Sequence, residues 1–107
     1  MFEWLLERRL RELGVRLDRA KSELAVLDEQ QLVLSEMEDD ARIKALVAES
    51  PLASAEHAEA RRHADAMTRS RDAIMSEISQ LERNYADISG RLQQSHEGEP
   101  RHRRGAS

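Results

Sequence analysis

Residues 6–34, LERRLRELGVRLDRAKSELAVLDEQQLVL, and residues 67–92, MTRSRDAIMSEISQLERNYADISGRL, decide the fold of this chain. In each stretch, residues recur at alternating steps of four and three that keep them on one narrow seam of a helix, as coiled-coil packing requires. The first seam consists of Leu6, Leu10, Leu13, Leu17, Ala20, Leu24, Leu27, Gln31 and Leu34. The second seam consists of Met67, Arg71, Ile74, Ile78, Leu81, Tyr85, Ile88 and Leu92.

A short break, Ser50-Pro51-Leu52-Ala53-Ser54, separates the two seams, and Ser50-Pro51 is its first boundary signal. The residue before a proline is disfavoured in a helix, whereas proline itself suits the first helical turn. We therefore predict an all-α fold, an antiparallel two-helix coiled-coil hairpin in residues 1–94 that pairs with a second copy into a four-helix bundle. Helix one should span about 2–49, the turn about 50–54 and helix two about 55–94. The polar remainder, 95–107, is expected to be a disordered tail.

Seam phase and turn position together predict a register for the hairpin. Leu27 should lie level with Ile78 and the small Ala20 level with the large Tyr85, which puts the fold point between residues 52 and 53. After residue 34 the seam positions no longer carry large apolar residues, and the apolar residues lie on a different face of the helix. The prediction therefore includes either a kink or a separate short helix over 39–50.

Composition limits the classes of function. The chain is 36% charged and 3% aromatic, a profile typical of long helices and coiled coils. Its net charge of −4 argues against a nucleic-acid partner, and the absence of Cys excludes disulfides and thiolate chemistry. We find no membrane-spanning run and no secretory signal, which favours a cytoplasmic location.

Enzyme chemistry has no support in the sequence. There is no phosphate-binding glycine loop, nucleophile motif or paired acid and base, so we expect neither an enzyme nor a cofactor. Four histidines invite a metal interpretation. His57 and His63 are six residues apart and do not share a helix face, while His96 and His102 fall in the predicted tail, so no metal site is expected.

Gln31, Glu38 and Arg71 would form a polar layer in the apolar seam, with Arg71 between the other two. Such a layer sets register and orientation in many coiled coils, and it also suits a switch or a partner-binding notch. Charge is distributed unevenly around it. Residues 23–49 hold eight acids and two bases, whereas residues 61–71 hold four Arg and one Asp, which favours either pairing within the hairpin or an acidic surface for a basic partner.

Helix one carries further apolar residues away from the seam, and helix two has little that is comparable. A helix with two apolar faces usually has two packing partners, although surface apolar residues also occur by chance. We predict that protein partners, and a second copy forming a homodimer in particular, bind this stripe and the N-terminus. The predicted contact residues are Phe2, Trp4, Leu5, Val26, Leu32, Val33, Ile43, Leu46 and Val47.

The N-terminal segment, residues 1–11, combines two aromatic residues with Arg8, Arg9 and Arg11. Three interpretations remain open: an anchor for a partner groove, a shallow membrane contact, or capping of the open end of the hairpin. Nearby acidic residues, Glu3 and Glu7 among them, weaken the membrane interpretation.

In plan, the chain resembles bacterial transcript-cleavage factors, which insert a coiled-coil finger into RNA polymerase. The local likeness covers Ala55-Glu56-His57-Ala58-Glu59-Ala60. The resemblance implies a regulator that inserts its hairpin tip into a larger enzyme. Those factors carry clustered acids at the tip, where this chain has only the flanking Glu49 and Glu56. A non-catalytic scaffold or adaptor is the main prediction, with the finger regulator and a peripheral membrane protein as alternatives.

Overall fold

A computed structural model describes residues 2–97 of the chain. These residues form two α-helices, α1 (Phe2–Ala48) and α2 (Pro51–Glu97), which fold back on each other as a hairpin. The predicted all-α hairpin is therefore confirmed. Residues 95–97, expected in the tail, are instead the last turn of α2. The rest of the predicted tail lies outside the described residues.

The hairpin contains two compact units. The turn unit comprises residues 21–76, and the terminal unit comprises residues 2–20 together with 77–97. Helix α1 is continuous from Phe2 to Ala48, so residues 39–48 belong to it and do not form a separate helix. Gly14 does not break α1, because one glycine costs a helix interior only about 1 kcal/mol.

The turn is shorter than predicted and comprises only Glu49 and Ser50. Glu49 adopts a left-handed backbone with φ of 49°, the conformation that commonly ends a helix. Ser50 caps α2, because the Ala53 amide donates to its Oγ at 3.1 Å, and Pro51 occupies the first helical position. The prediction of a turn over 50–54 was wrong because this cap and Pro51 start α2 at once.

The shorter turn changes the register of the turn unit. Arg71 bonds to Asp28, and Gln31 donates to Thr68 at 2.9 Å. These contacts place Arg71 level with Leu27, about one heptad from the predicted position beside Leu34. The predicted register was wrong because a heptad pattern matches itself again after seven residues, and only the turn selects among the matches.

The terminal unit shows the same shift. Tyr85 was predicted opposite Ala20, but its ring lies beside Gly14, where an added Cβ would stand 3.8 Å from Cε2. His96 meets Glu3 at 3.0 Å. Four buried apolar residues form the core of this unit: Leu13, Ala20, Ile78 and Leu81.

The seam of the turn unit continues past Leu34 with small residues. Ala41 and Ala45 are half-buried on α1, and Ala53 is buried on α2. These positions keep the alternating steps of four and three. The seam therefore continues on the same face of α1, and only its side chains become smaller. Small side chains allow two helices to approach closely, which suits a connection of only two residues.

Candidate protein-interaction surface

The turn unit leaves one side of α1 uncovered. We call this surface the α1 outer face and define it by six exposed apolar residues: Val26, Leu32, Val33, Ile43, Leu46 and Val47. Their exposed fractions run from 52% for Ile43 to 81% for Val47. The seam is already used by α2, so these side chains have no partner within the hairpin.

The exposure of large apolar side chains is strongly asymmetric between the two helices. In the turn unit, α2 exposes only Leu52 and Met75, whereas α1 exposes the six residues of its outer face and Met37. The six fall into two groups of three, Val26, Leu32 and Val33 and then Ile43, Leu46 and Val47, with the exposed Asp39 and Asp40 between them. Single exposed apolar residues are ordinary, but three at neighbouring positions of one helix form a patch. An apolar patch of this kind is typical of a protein-binding surface.

A shallow open groove adjoins the α1 outer face. Gln30, Val33 and Leu34 of α1 line it together with Met67 of α2. Met67 was predicted beside Glu38, and its position here follows from the shifted register. The groove is almost wholly apolar and extends the outer face toward the seam.

The three predicted contact residues of the terminal unit are also exposed. Phe2, Trp4 and Leu5 are 76%, 54% and 45% exposed. Farther along α1, Arg8, Arg11, Glu12, Val15 and Arg16 line a shallow depression. Arg8 pairs with Glu12 at 3.4 Å, a surface ion pair that contributes little to stability. This segment therefore offers aromatic and basic groups to a partner.

The structure does not bring Gln31, Glu38 and Arg71 into one polar layer. Arg71 donates to Asp28, Gln31 donates to Thr68, and Glu38 meets His57 at 3.0 Å. Each group therefore has its own partner on the opposite helix. The expected position of Arg71 between Gln31 and Glu38 was wrong, since it rested on the wrong register.

The carboxylate of Asp28 raises the pKa of the Arg71 guanidinium, through their hydrogen bond first and through its charge second. Arginine is already fully charged at neutral pH, so the shift leaves its charge unchanged. Both side chains remain partly exposed, which keeps the contribution of the pair to stability small.

Three ligating side chains converge in the terminal unit. Among the described residues, Glu3, Glu7 and His96 place their ligand atoms within 4.8 Å of one another. A nitrogen and two carboxylates are a donor set that Zn²⁺ accepts, with water at a fourth position. The His96–Glu3 contact also links α1 to α2 directly. Sequence reasoning missed this group because it placed His96 in the tail.

Sequence reasoning also missed Met37 and Leu52, which are 55% and 70% exposed. Leu52 had been assigned to the turn, although its position directly after the Ser50-Pro51 capping signal places it in α2. Met37 lies between the seam and the α1 outer face. Its heptad position alone is enough to predict an exposed side chain.

Comparison with known proteins adds no relative. The sequence matches no family model, and neither curated proteins nor solved structures give a significant match. No helix among residues 2–97 is both long enough and apolar enough to span a membrane.

Proposed function

We propose that this chain is a non-catalytic scaffold that binds proteins, and above all a second copy of itself, through the α1 outer face. The observation that carries the proposal is the asymmetry of exposure: α1 keeps a row of large apolar side chains in solvent after its seam has been filled. The same surface, together with the adjoining apolar groove, would also bind other protein partners if the chain acts as an adaptor.

The size of this surface predicts the strength of binding. Fully burying one such side chain contributes about 1.5–3 kcal/mol, so covering six half-exposed ones contributes about 6–12 kcal/mol. Association costs about 4–15 kcal/mol in lost freedom of motion. Because the gain and the cost are of similar size, we expect self-association to be weak and to depend on concentration, so that a scaffold can exchange partners.

Replacing Val26 and Val33 by Glu tests the proposal. Both side chains are more than half exposed, so the hairpin should keep its helix content by circular dichroism. Adding charge to the face should weaken self-association at least about tenfold, because each buried carboxylate would lose its water. Light scattering coupled to size exclusion measures the change in mass.

The matched control is Met75→Glu with Ala86→Glu. Both side chains are exposed, and both lie on α2, outside the α1 outer face. The control should associate like the wild type. Equal loss in both variants would refute the assignment of this face and point to a general effect of added charge.

A second candidate function is a finger whose tip enters a larger partner. It is supported by the exposure of Leu46, Val47 and Leu52 around the two-residue turn, at 67%, 81% and 70%. If the tip binds a partner, Leu52→Asn should abolish capture of that partner while self-association through Val26 and Val33 persists. Loss of self-association with Leu52→Asn, and no effect on any captured partner, would reject the finger.

A further inference from the structure

The terminal unit brings together three metal-ligating side chains from two different helices. Glu3 lies in the first turn of α1 and Glu7 lies one turn later, so both project from the same side of that helix. His96 lies in the last turn of α2. The ligand atoms of the three lie within 4.8 Å of one another, and we call this group the Glu3–Glu7–His96 cluster.

The third ligand distinguishes this cluster from an ordinary ion pair. His57 meets Glu38 across the two helices at 3.0 Å, and His96 meets Glu3 across them at the same distance. Among residues 2–97, only the contact of His96 belongs to a group of three ligands. A simple pair needs two side chains, so it leaves the approach of Glu7 unexplained.

The charges at the cluster favour a bound cation. Two carboxylates one helical turn apart repel each other and destabilise a helix. Arg11 lies one turn after Glu7, but no ion pair joins them, and Arg8 pairs with Glu12 instead. Within the described part of the chain, Glu7 therefore has no basic side chain to neutralise it. A cation held between the two carboxylates removes their repulsion.

The spacing of the ligand atoms suits an ion of the size of Zn²⁺. Two ligands at about 2.1 Å from one zinc ion stand about 3.4 Å apart in a tetrahedral site. The 3.0 Å contact between His96 Nε2 and Glu3 Oε2 is already close to that separation, and Glu7 lies within 4.8 Å of both. Because Glu7 is exposed and its side chain is flexible, a change of rotamer completes the site without movement of either helix.

The donor set selects the class of ion. Imidazole suits Zn²⁺, Cu²⁺ and Ni²⁺, whereas Mg²⁺ and Ca²⁺ prefer sites built of oxygen ligands. Three protein ligands leave the fourth position of a tetrahedral ion to water. We propose that the Glu3–Glu7–His96 cluster binds one divalent transition-metal ion of the Zn²⁺ type, which ties the first turn of α1 to the last turn of α2. This site lies outside the α1 outer face and goes beyond the proposed function.

The bound ion stabilises the two helix ends that it joins. Helix termini are the parts of a hairpin that open most readily, and a ligand that binds only the folded chain opposes that opening. The unfolded chain does not hold the three ligands together, so binding and folding are coupled. Trp4, the only tryptophan, directly follows Glu3 and therefore reports on the site by its fluorescence.

Titration of the full chain with Zn²⁺, followed by calorimetry and by Trp4 fluorescence, tests the site. We expect one strong site per chain, and a rise of about 5 °C or more in the thermal unfolding midpoint at ten times the measured Kd. Mg²⁺ at the same concentration should leave the midpoint unchanged. Glu7→Gln and His96→Asn should each weaken Zn²⁺ binding at least about tenfold, because even the loss of a group that only orients a ligand costs 10–100-fold.

His57→Asn is the matched control. It removes a histidine that also meets a glutamate across the helices at 3.0 Å but has no third ligand beside it. This variant should bind Zn²⁺ like the wild type. Val26→Glu/Val33→Glu should do so as well, because it changes only the α1 outer face.

Three results would overturn the metal site. The first is a wild type that shows neither Zn²⁺ binding nor a shift in its unfolding midpoint. The second is Glu7→Gln binding as tightly as the wild type, which would leave only an ordinary pair between His96 and Glu3. The third is an equal loss of binding in His57→Asn, which would indicate unspecific binding to histidines. None of them affects self-association through α1, which is measured in a buffer that contains a chelator.

Discussion

At the residue scale, Glu49 and Ser50 determine where the chain reverses. Ser50-Pro51 could be predicted as a boundary from its chemistry, because proline suits the first helical position and serine is a good cap. The left-handed backbone of Glu49 could not, since glutamate rarely adopts positive φ and nothing in the sequence marks it. The turn was therefore predicted at the right place along the chain but too long.

Two substitutions in the turn should change stability in opposite directions. Glu49→Gly should stabilise the hairpin by about 1 kcal/mol, because glycine adopts the left-handed conformation without the cost that a Cβ brings. Ser50→Ala should destabilise it by about 1 kcal/mol, because the Ala53 amide loses its acceptor. Thermal unfolding followed by circular dichroism at one fixed protein concentration measures both. An unchanged midpoint for both variants would contradict the described turn.

At the element scale, the heptad pattern predicts which side of each helix is buried but leaves the register undetermined. Apart from Tyr85, which is 38% exposed, the predicted seam residues are buried or half-buried, because their spacing follows directly from helix geometry. Their pairing depended on the turn, and an error of a few residues there moved the predicted register by a heptad. The predicted polar layer failed for the same reason, since Arg71 meets Asp28 and not Glu38.

Arg71 provides a test of what holds the seam together. It occupies a seam position but forms only a partly exposed ion pair with Asp28. Arg71→Leu should raise the free energy of unfolding, because apolar burial at a seam position outweighs a partly exposed ion pair. Arg71→Ala should lower it, since both the pair and the packed stem are lost. Urea unfolding at low micromolar concentration checks the order, and a destabilised Arg71→Leu would show that the ion pair dominates.

At the scale of the whole molecule, the chain uses one side of α1 for its own fold and leaves another side in solvent. The sequence already indicated this second stripe, and the structure shows all nine predicted contact residues exposed.

The most direct measurement of the central claim is sedimentation velocity of the wild-type chain over about 5–200 µM, a range wide enough to reveal weak self-association as a rise in average mass. We predict an average mass that starts near the monomer value of 12.3 kDa and rises steadily with concentration. A constant mass of 12.3 kDa across the whole range, with full helix content, would contradict self-association through α1.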